Sequence, residues 1–247
     1  MVKAIVLRAV GTNCDYETGI ALKLCGFEVA DLHVNELIQK KGLLKDAVLL
    51  VLPGGFSYGD YLGSAKVFAN QLKLRLKEPL EEFIGDKKLL LGICNGFQAL
   101  VKSGLLPATE GLWKQNTTLT FNESGHFQDE WVTLQKIPEN KSPFLKGIKE
   151  FDCPINHGEG RFIARDKKTL KDLYDKGLVA LTYKINPNGS TDSIAGISSK
   201  NGLVFGLMPH PEKYAFSANH PHSTRKDFPE KGTGLKIFEN AFEYVKK

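Results

Sequence analysis

Short apolar stretches alternate with helical segments through the first half of the chain, and this alternation limits the possible folds more than any other feature. Stretches rich in β-branched and apolar residues predict strands at Lys3–Leu7, Glu28–Leu32, Ala47–Leu52 and Leu89–Ile93. A helix is predicted at Tyr16–Leu24, begun by Asp15 and ended by Gly26. Strands that are apolar on both faces and separated by helices indicate a parallel sheet covered on both sides. The sequence therefore predicts a doubly wound α/β fold.

The pattern changes beyond Thr117. The segments TLTFNES and EWVTLQ and the residues around Phe151 are typical of antiparallel strands or hairpins, which predicts an antiparallel insertion in a mostly parallel sheet. The α/β pattern returns with GLVFGLMPHPE, a strand that runs into a loop. A helix from about Gly234 to Val245, with one apolar face, closes the chain. Because no repeat or linker interrupts this order, we expect one domain over residues 1–247.

Composition excludes several classes of function. The net charge is +5, but lysines and acidic residues are interleaved, so no nucleic-acid surface is expected. No apolar run approaches the roughly 18 residues that a membrane span needs. Four cysteines lie far apart without metal-ligand spacing, which argues against a zinc knuckle and against a disulfide framework. The first residues resemble a core strand more than a signal peptide. We therefore expect a cytoplasmic protein that does not bind a membrane.

The segment GICNG places Cys94 directly after a predicted strand and before a predicted helix. This G-x-C-x-G pattern is the cysteine analogue of the nucleophile elbow, in which flanking glycines permit a tight turn and close backbone approach. The N-terminus of the following helix favours a thiolate. A lone cysteine is more often a small buried core residue. The elbow pattern favours a nucleophile for Cys94, whereas Cys14, Cys25 and Cys153 are interpreted as structural.

A second glycine-rich loop, LPGGFSYGDYLG, also follows a strand directly. The backbone N–H groups of Gly54 and Gly55 are candidates for stabilising a developing negative charge, as an oxyanion hole does. A phosphate-binding role is less favoured, because the loop carries neither the Walker lysine nor G-x-G-x-x-G. A glycine-rich turn with nothing bound is the alternative.

A third loop, MPHPEK, follows the strand GLVFGL and holds His210 and Glu212 two residues apart. An extended segment would place both side chains on the same side, so that the carboxylate orients the imidazole for proton transfer. A metal site that also includes His220 and His222 is the weaker alternative, because supporting carboxylates are lacking. We expect His220 and His222 to lie in a solvent-exposed loop.

Together these motifs closely resemble the class I, or triad-type, glutamine amidotransferases, which have a flavodoxin-like α/β fold. Within that family, the match is to the glutaminase subunits of phosphoribosylformylglycinamidine synthase, which act in purine biosynthesis. The resemblance extends from the N-terminal GTNCD loop to the C-terminal helix. It rests on PGGFSYGDYL, GICNGFQAL, NESGHF followed by EWV, INHGEGRF, NPNGS, IAGI and MPHPEK.

The resemblance implies a role for each matching residue. Cys94 would attack the carboxamide carbon of glutamine, His210 would act as general base and then general acid, and Glu212 would orient the imidazole. The backbone N–H groups of Gly55 and Asn95 would donate to the oxyanion. Gln98, one helical turn past the nucleophile, would help to position the glutamine substrate.

The resemblance also implies partners. Ammonia would pass to a synthetase subunit that converts formylglycinamide ribonucleotide to the amidine, and a small bridging subunit is also expected. No cofactor is expected in this chain, since ATP and magnesium would bind to the synthetase. A cysteine hydrolase with the same elbow, or a non-catalytic subunit that keeps the fold, are the alternative functions.

Three positions depart from the family pattern. Val10 replaces a common proline, while Gly63 and His126 replace arginines. We therefore do not expect Gly63 and His126 to make the contacts with the substrate carboxylate or the partner that arginines could make there. The loop of Asn156–Arg161, NHGEGR, would lie near the mouth of the site. We expect it to serve in the partner interface or in gating, although an ordinary surface loop has the same composition.

Overall fold

The computed structural model describes residues 2–225 and 229–246. Its strands are β1 Lys3–Arg8, β2 Glu28–His33, β3 Leu49–Leu52, β4 Leu89–Ile93, β5 Thr117–Thr120, β6 Gln128–Lys136, β7 Glu150–His157, β8 Arg161–Ala164, β9 Val179–Tyr183, β10 Ile194–Ser198 and β11 Val204–Leu207. Its α-helices are α1 Asp15–Leu24, α2 Val34–Gln39, α3 Lys66–Arg75, α4 Lys77–Gly85, α5 Asn95–Ser103, α6 Lys167–Asp175 and α7 Leu235–Val245.

Nine strands form one mixed sheet in the order β2-β1-β3-β4-β11-β10-β9-β6-β7. The first five strands of that order are parallel, and the remaining four pair antiparallel. Strands β5 and β8 form a separate antiparallel pair. The prediction of a doubly wound, mostly parallel α/β fold with an antiparallel insertion is therefore confirmed, although β5, at the predicted TLTFNES segment, lies outside the main sheet.

The core follows from the apolar strands. Every residue of β3, β4 and β11 is buried, as expected for strands covered by helices on both faces. The edge strand β2 is only partly buried. The closing helix agrees with its predicted apolar face, and Leu235, Ile237 and Phe238 are buried in the core.

Four helices were not assigned from the sequence: α2 after β2, α3 and α4 between β3 and β4, and α6 before β9. Helix α6 does carry a recognisable start, because the side chain of Asp166 accepts a hydrogen bond from the Thr169 N–H at 2.7 Å. Within the described residues, no helix is long and apolar enough to cross a membrane.

The sheet order brings the predicted site loops together. Strand β4 lies between β3 and β11, all three are parallel, and Gly92 is paired with Leu52 while Ile93 is paired with Leu207. The loops that leave the carboxyl ends of these strands therefore emerge side by side, where ligands bind in open α/β sheets. These are the glycine loop, the Cys94 turn and the His210 loop.

Candidate active site

The turn at Cys94 has the geometry of a nucleophile elbow. Cys94 has φ +49° and ψ −104°, although only glycine adopts positive φ readily. A Cβ on Gly96 would lie 1.8 Å from the carbonyl oxygen of Leu52, so no larger residue fits there. The Cys94 N–H donates to the Leu207 carbonyl at 2.8 Å. Close packing against β3 and β11 therefore holds Cys94 in a conformation that costs on the order of 1–3 kcal/mol.

Beside this turn, His210 and Glu212 form a buried pair. The Nδ1–H of His210 donates to Glu212 Oε1 at 2.6 Å, and both side chains are almost completely buried. The His210 N–H donates to the Pro154 carbonyl at 2.8 Å, which fastens the loop to β7. Because Nδ1 is bonded to Glu212, the second ring nitrogen of His210 is Nε2. It has no hydrogen-bond partner in the described part of the chain.

The protonation of His210 depends on its neighbours. Burial disfavours the imidazolium, but the Glu212 carboxylate and the Cys94 sulfur outweigh burial and hold the pKa of His210 well above its ordinary value. A protonated imidazole beside the Cys94 sulfur can donate a proton to a leaving group. The arrangement can therefore present a nucleophile together with the proton that a leaving group needs.

The glycine loop after β3 packs directly on this pair. A Cβ on Gly54 would lie 2.6 Å from Cε1 of His210, so the backbone of the loop touches the imidazole ring. Gly55 has φ +143°, and a Cβ there would lie 2.7 Å from the Asn13 nitrogen. The side chain of Asn95 joins this loop to α5, because its Oδ1 accepts from the Ser57 N–H at 3.1 Å.

The GTNCD loop contributes a residue that the sequence interpretation did not place in the site. Cys14 is buried, as expected for a structural cysteine, but its thiol is close enough to His210 to raise the pKa of the imidazole. The Cys14 N–H donates to the Gly54 carbonyl at 3.2 Å. A lone cysteine in a loop 80 residues before the nucleophile gives no local signal for this position.

A polar stripe on α5, formed by Asn95, Gln98 and Lys102, extends the site beyond the Cys94 turn. Asn95 Nδ2 donates to Gln98 Oε1 at 3.0 Å and to Asp60 Oδ1 at 3.3 Å. Gln98 Nε2 donates to the carbonyl of Glu159 at 2.6 Å. The observed contacts of Gln98 therefore support Asn95 and a neighbouring loop, and its predicted contact with glutamine stays a prediction.

The same stripe ends in a buried ion pair. Lys102 Nζ lies 3.3 Å from Glu159 Oε2, with both side chains about 90% buried. Lys102 also donates to the Ser64 carbonyl at 2.6 Å, and the Ser64 N–H donates to both carboxylate oxygens of Glu159 at 3.1 and 3.2 Å. Burial lowers the pKa of Lys102, and the Glu159 carboxylate opposes that shift. The pair ties the glycine loop, α5 and the NHGEGR loop together.

The NHGEGR loop lies beside the nucleophile. The carbonyl of Asn156 is 3.8 Å from Cys94 Sγ, and Lys213 Nζ donates to Asn156 Oδ1 at 2.7 Å. His157 is buried, and its Nδ1–H donates to Asn122 Oδ1 at 3.0 Å. Burial, with repulsion from His210, lowers the pKa of His157 to about 4. The loop therefore forms one wall of the site; its role in the partner interface or in gating stays a prediction.

The expectation of a solvent-exposed loop at the later histidines is wrong for His220. This side chain is buried, with its ring centroid 4.7 Å from that of Trp131 and 5.5 Å from that of Tyr214, and its Nε2 lies 3.4 Å from Asp152 Oδ2. Aromatic packing is the physical reason for its burial. His222 is exposed as expected.

Comparisons with known proteins agree with this architecture. The sequence model of the CobB/CobQ-like glutamine amidotransferase domain matches residues 1–245. A glutamine amidotransferase structure from Thermotoga maritima, 18% identical with a TM-score of 0.55 over 99% of this chain and 97% of that chain, shares the fold. The class of protein is therefore defined over nearly the whole sequence.

Closer relatives narrow the class. Phosphoribosylformylglycinamidine synthase subunit PurQ of Dehalococcoides mccartyi is 41% identical over 100% of this chain and 98% of the relative. PurQ of Methanococcus maripaludis is 39% identical over 99% and 98%. The structure of PurLQS from Thermotoga maritima matches with a TM-score of 0.76 at 33% identity over 99% of both chains. The chain belongs to the glutamine amidotransferase family and, within it, to the PurQ group of phosphoribosylformylglycinamidine synthase subunits.

Proposed function

We propose that this chain hydrolyses glutamine and delivers the ammonia to a synthetase subunit that makes formylglycinamidine ribonucleotide from formylglycinamide ribonucleotide in purine biosynthesis. The observation that carries the proposal is the buried constellation of Cys94, held at positive φ on the N-terminus of α5, beside the His210–Glu212 pair. This is the arrangement that a nucleophile, its proton carrier and its orienting carboxylate require.

In the proposed reaction, the Cys94 thiolate attacks the carboxamide carbon of glutamine, and the carbonyl electron pair moves to oxygen. The backbone N–H groups of Gly55 and Asn95 would stabilise this oxyanion. Gly55 belongs to the loop after the neighbouring strand β3, and Asn95 is in the first turn of α5, where amides have no intrahelical acceptor. The imidazolium of His210 gives its proton to the leaving amine. A glutamyl thioester and ammonia result.

Water then attacks the thioester, with His210 as general base, and glutamate leaves as the Cys94 thiolate reforms. Glu212 keeps the proton on Nδ1, so that the proton exchanged with substrate is carried by Nε2. Gly54 forms the floor beneath the imidazole ring. Gln98 acts by positioning Asn95 and the NHGEGR loop, in addition to any contact with glutamine.

The proposal includes the assembly and the location. The synthetase subunit would bind ATP and magnesium, a small bridging subunit would complete the complex, and this chain would act as one domain over residues 1–247 without a cofactor of its own. Ammonia is mostly protonated in water near neutral pH and is then no nucleophile, which is why we expect a shielded path to the synthetase. We assign the complex to the cytoplasm.

The decisive experiment measures glutamate release from glutamine with the synthetase subunit, its small subunit and their ligands present. Cys94→Ala should lower the rate by at least about 10³-fold, because removing a nucleophile removes the covalent route. Cys25→Ser, a matched thiol outside the site, should keep the wild-type rate. A wild-type complex that releases no glutamate would instead support a non-catalytic subunit.

A further inference from the structure

Three side chains of different chemistry converge in the site, although the proposed glutaminase reaction uses only two of them. Cys14, His210 and Glu212 each offer one donor atom, and these sulfur, nitrogen and oxygen atoms all lie within 4.8 Å of one another. All three side chains are at least 95% buried. The reaction needs His210 and Glu212 but gives no role to the thiol of Cys14.

The position of Cys14 is fixed by the loop that carries it. Its N–H donates to the Gly54 carbonyl, and its own carbonyl accepts from the Thr18 hydroxyl at 2.6 Å and from the Thr18 N–H at 3.2 Å. The thiol makes one weak contact of 3.4 Å with Asn13 Oδ1. The sulfur is therefore held beside the imidazole by the backbone of its own loop.

Gly54 allows the thiol and the imidazole to come this close to each other. A Cβ on Gly54 would lie 3.3 Å from Cys14 Sγ and 2.6 Å from His210 Cε1, so a larger residue there would push the two side chains apart. Two buried polar atoms of the cluster also have no hydrogen-bond partner among the described residues, namely Nε2 of His210 and Oε2 of Glu212. Unpartnered buried atoms of this kind are costly unless a ligand satisfies them.

The donor set identifies the ligand class. One thiolate, one imidazole and one carboxylate are the ligands that Zn²⁺ takes from proteins, and three protein ligands leave a fourth tetrahedral position for water or a further sulfur. Hard cations such as Mg²⁺ and Ca²⁺ prefer oxygen and would not gain from the thiol.

We propose that Cys14, His210 and Glu212 form an inhibitory site for Zn²⁺. Binding would replace the thiol proton of Cys14 with a Zn–S bond, and a ring nitrogen of His210 would donate its electron pair to the metal after losing any proton it carries. An imidazole held by the metal cannot carry a proton to the leaving amine. The binding site stands on geometry alone, whereas its inhibitory effect rests on the proposed glutaminase function.

The binding test uses Co²⁺ as a spectroscopic substitute for Zn²⁺ on the purified full chain. Wild type should show a thiolate-to-cobalt charge-transfer band that added Zn²⁺ removes. Cys14→Ala should lose the band, whereas Cys94→Ala and Cys25→Ser should keep it. Cys14→Ser, which is similar in size and replaces the thiol with a hydroxyl, provides a second variant if the alanine form does not give a wild-type circular dichroism spectrum. A band that is missing in wild type, or that follows Cys94 instead of Cys14, overturns the site.

The inhibition test measures glutamate release by the assembled complex in chelator-treated buffer with graded free Zn²⁺. Each variant is compared with its own metal-free rate. Cys14→Ala should raise the inhibitory Zn²⁺ concentration at least tenfold, and Cys25→Ser should leave it unchanged. Equal inhibition of Cys14→Ala and wild type overturns the regulatory role. A complex that is inactive without Zn²⁺, although magnesium is supplied for the synthetase, contradicts the glutaminase proposal, and the cobalt band still decides the binding site independently.

Discussion

Helix α5 is held on two sides by different kinds of contact. On one side, Gly96 touches the backbone of β3 so closely that a single added carbon would overlap the Leu52 carbonyl oxygen. On the other side, Asn95, Gln98 and Lys102 lie at helical spacing and make hydrogen bonds or ion pairs with distant loops. The first side is maintained by excluded volume, and the second by satisfied buried polar groups.

This difference shows how the site is encoded. The steric side depends on glycines within two residues of Cys94, so a short sequence motif is enough to predict it. The polar side depends on partners that are distant in sequence, such as Asp60, which is 35 residues from Asn95, and Glu159, which is 57 residues from Lys102. Steric contacts tolerate no substitution, whereas a polar network can be changed in matched pairs.

The largest effect is expected on the steric side. Gly96→Ala should lower the free energy of unfolding by at least about 4 kcal/mol, because the new Cβ meets the backbone of a central strand that cannot move aside. Urea unfolding followed by circular dichroism measures the change.

Gly85→Ala is the matched control, since a Cβ at this exposed position in α4 meets nothing within 4 Å. It should raise the stability by up to about 1 kcal/mol through helix propensity. Equal stabilities of the two alanine variants would show that the backbone around Gly96 adjusts and that excluded volume does not hold the elbow.

Breaking the buried ion pair should have the next largest effect. Lys102→Met removes the cation and leaves the Glu159 carboxylate buried, with only the Ser64 N–H to compensate it, so we expect a loss of about 3 kcal/mol. The double variant Lys102→Met with Glu159→Gln should lose less than the sum of the two single changes, because it leaves no isolated charge. Urea unfolding of all three variants gives the coupling energy.

Lys184→Met provides the control for this pair. Its ammonium lies 3.0 Å from Glu150 Oε1 on the surface, where water screens the interaction, so stability should not change measurably. A loss at Lys102 no greater than that at Lys184 would mean that the pair linking the glycine loop, α5 and the NHGEGR loop contributes nothing to the fold.

The same contrast explains how much could be predicted from sequence. The apolar periodicity of β1, β3, β4 and β11 determines the parallel part of the sheet, and the glycine pattern around Cys94 predicts the elbow. Cys14 and Lys102 could not be placed, because their neighbours are brought to them only by tertiary packing. The error at His220 has the same origin, since Trp131 and Tyr214 come from distant parts of the chain.

Acid should destabilise the NHGEGR loop, which the polar side of α5 supports. Folding lowers the pKa of His157 from an ordinary value of 6.5 to about 4. Between these two pH values, the unfolded chain therefore binds a proton at this histidine and the folded chain does not. Stability from this group is therefore complete above pH 6.5 and is lost as the pH falls towards 4. The expected loss between pH 7 and pH 4.5 is about 2 kcal/mol.

His157→Asn should remove this part of the pH dependence, because the amide can donate to Asn122 as Nδ1 does but does not titrate. Urea unfolding of both proteins at pH 7 and pH 4.5 provides the comparison. Identical acid sensitivity of wild type and variant would assign the titration to another group.

The smallest effect distinguishes two roles for Gln98. If this side chain mainly supports Asn95 and the carbonyl of Glu159, Gln98→Met should lower stability by about 1 kcal/mol and reduce kcat for glutamate release, with little change in KM for glutamine. Gln115→Met, which removes a similar amide-to-carbonyl bond of 3.1 Å at an exposed position, should change neither quantity. A rise in KM with kcat and stability unchanged would instead show that Gln98 contacts the substrate. The polar side of α5 would then bind glutamine in addition to holding the loops. The two sides of the helix would therefore differ in function as well as in packing.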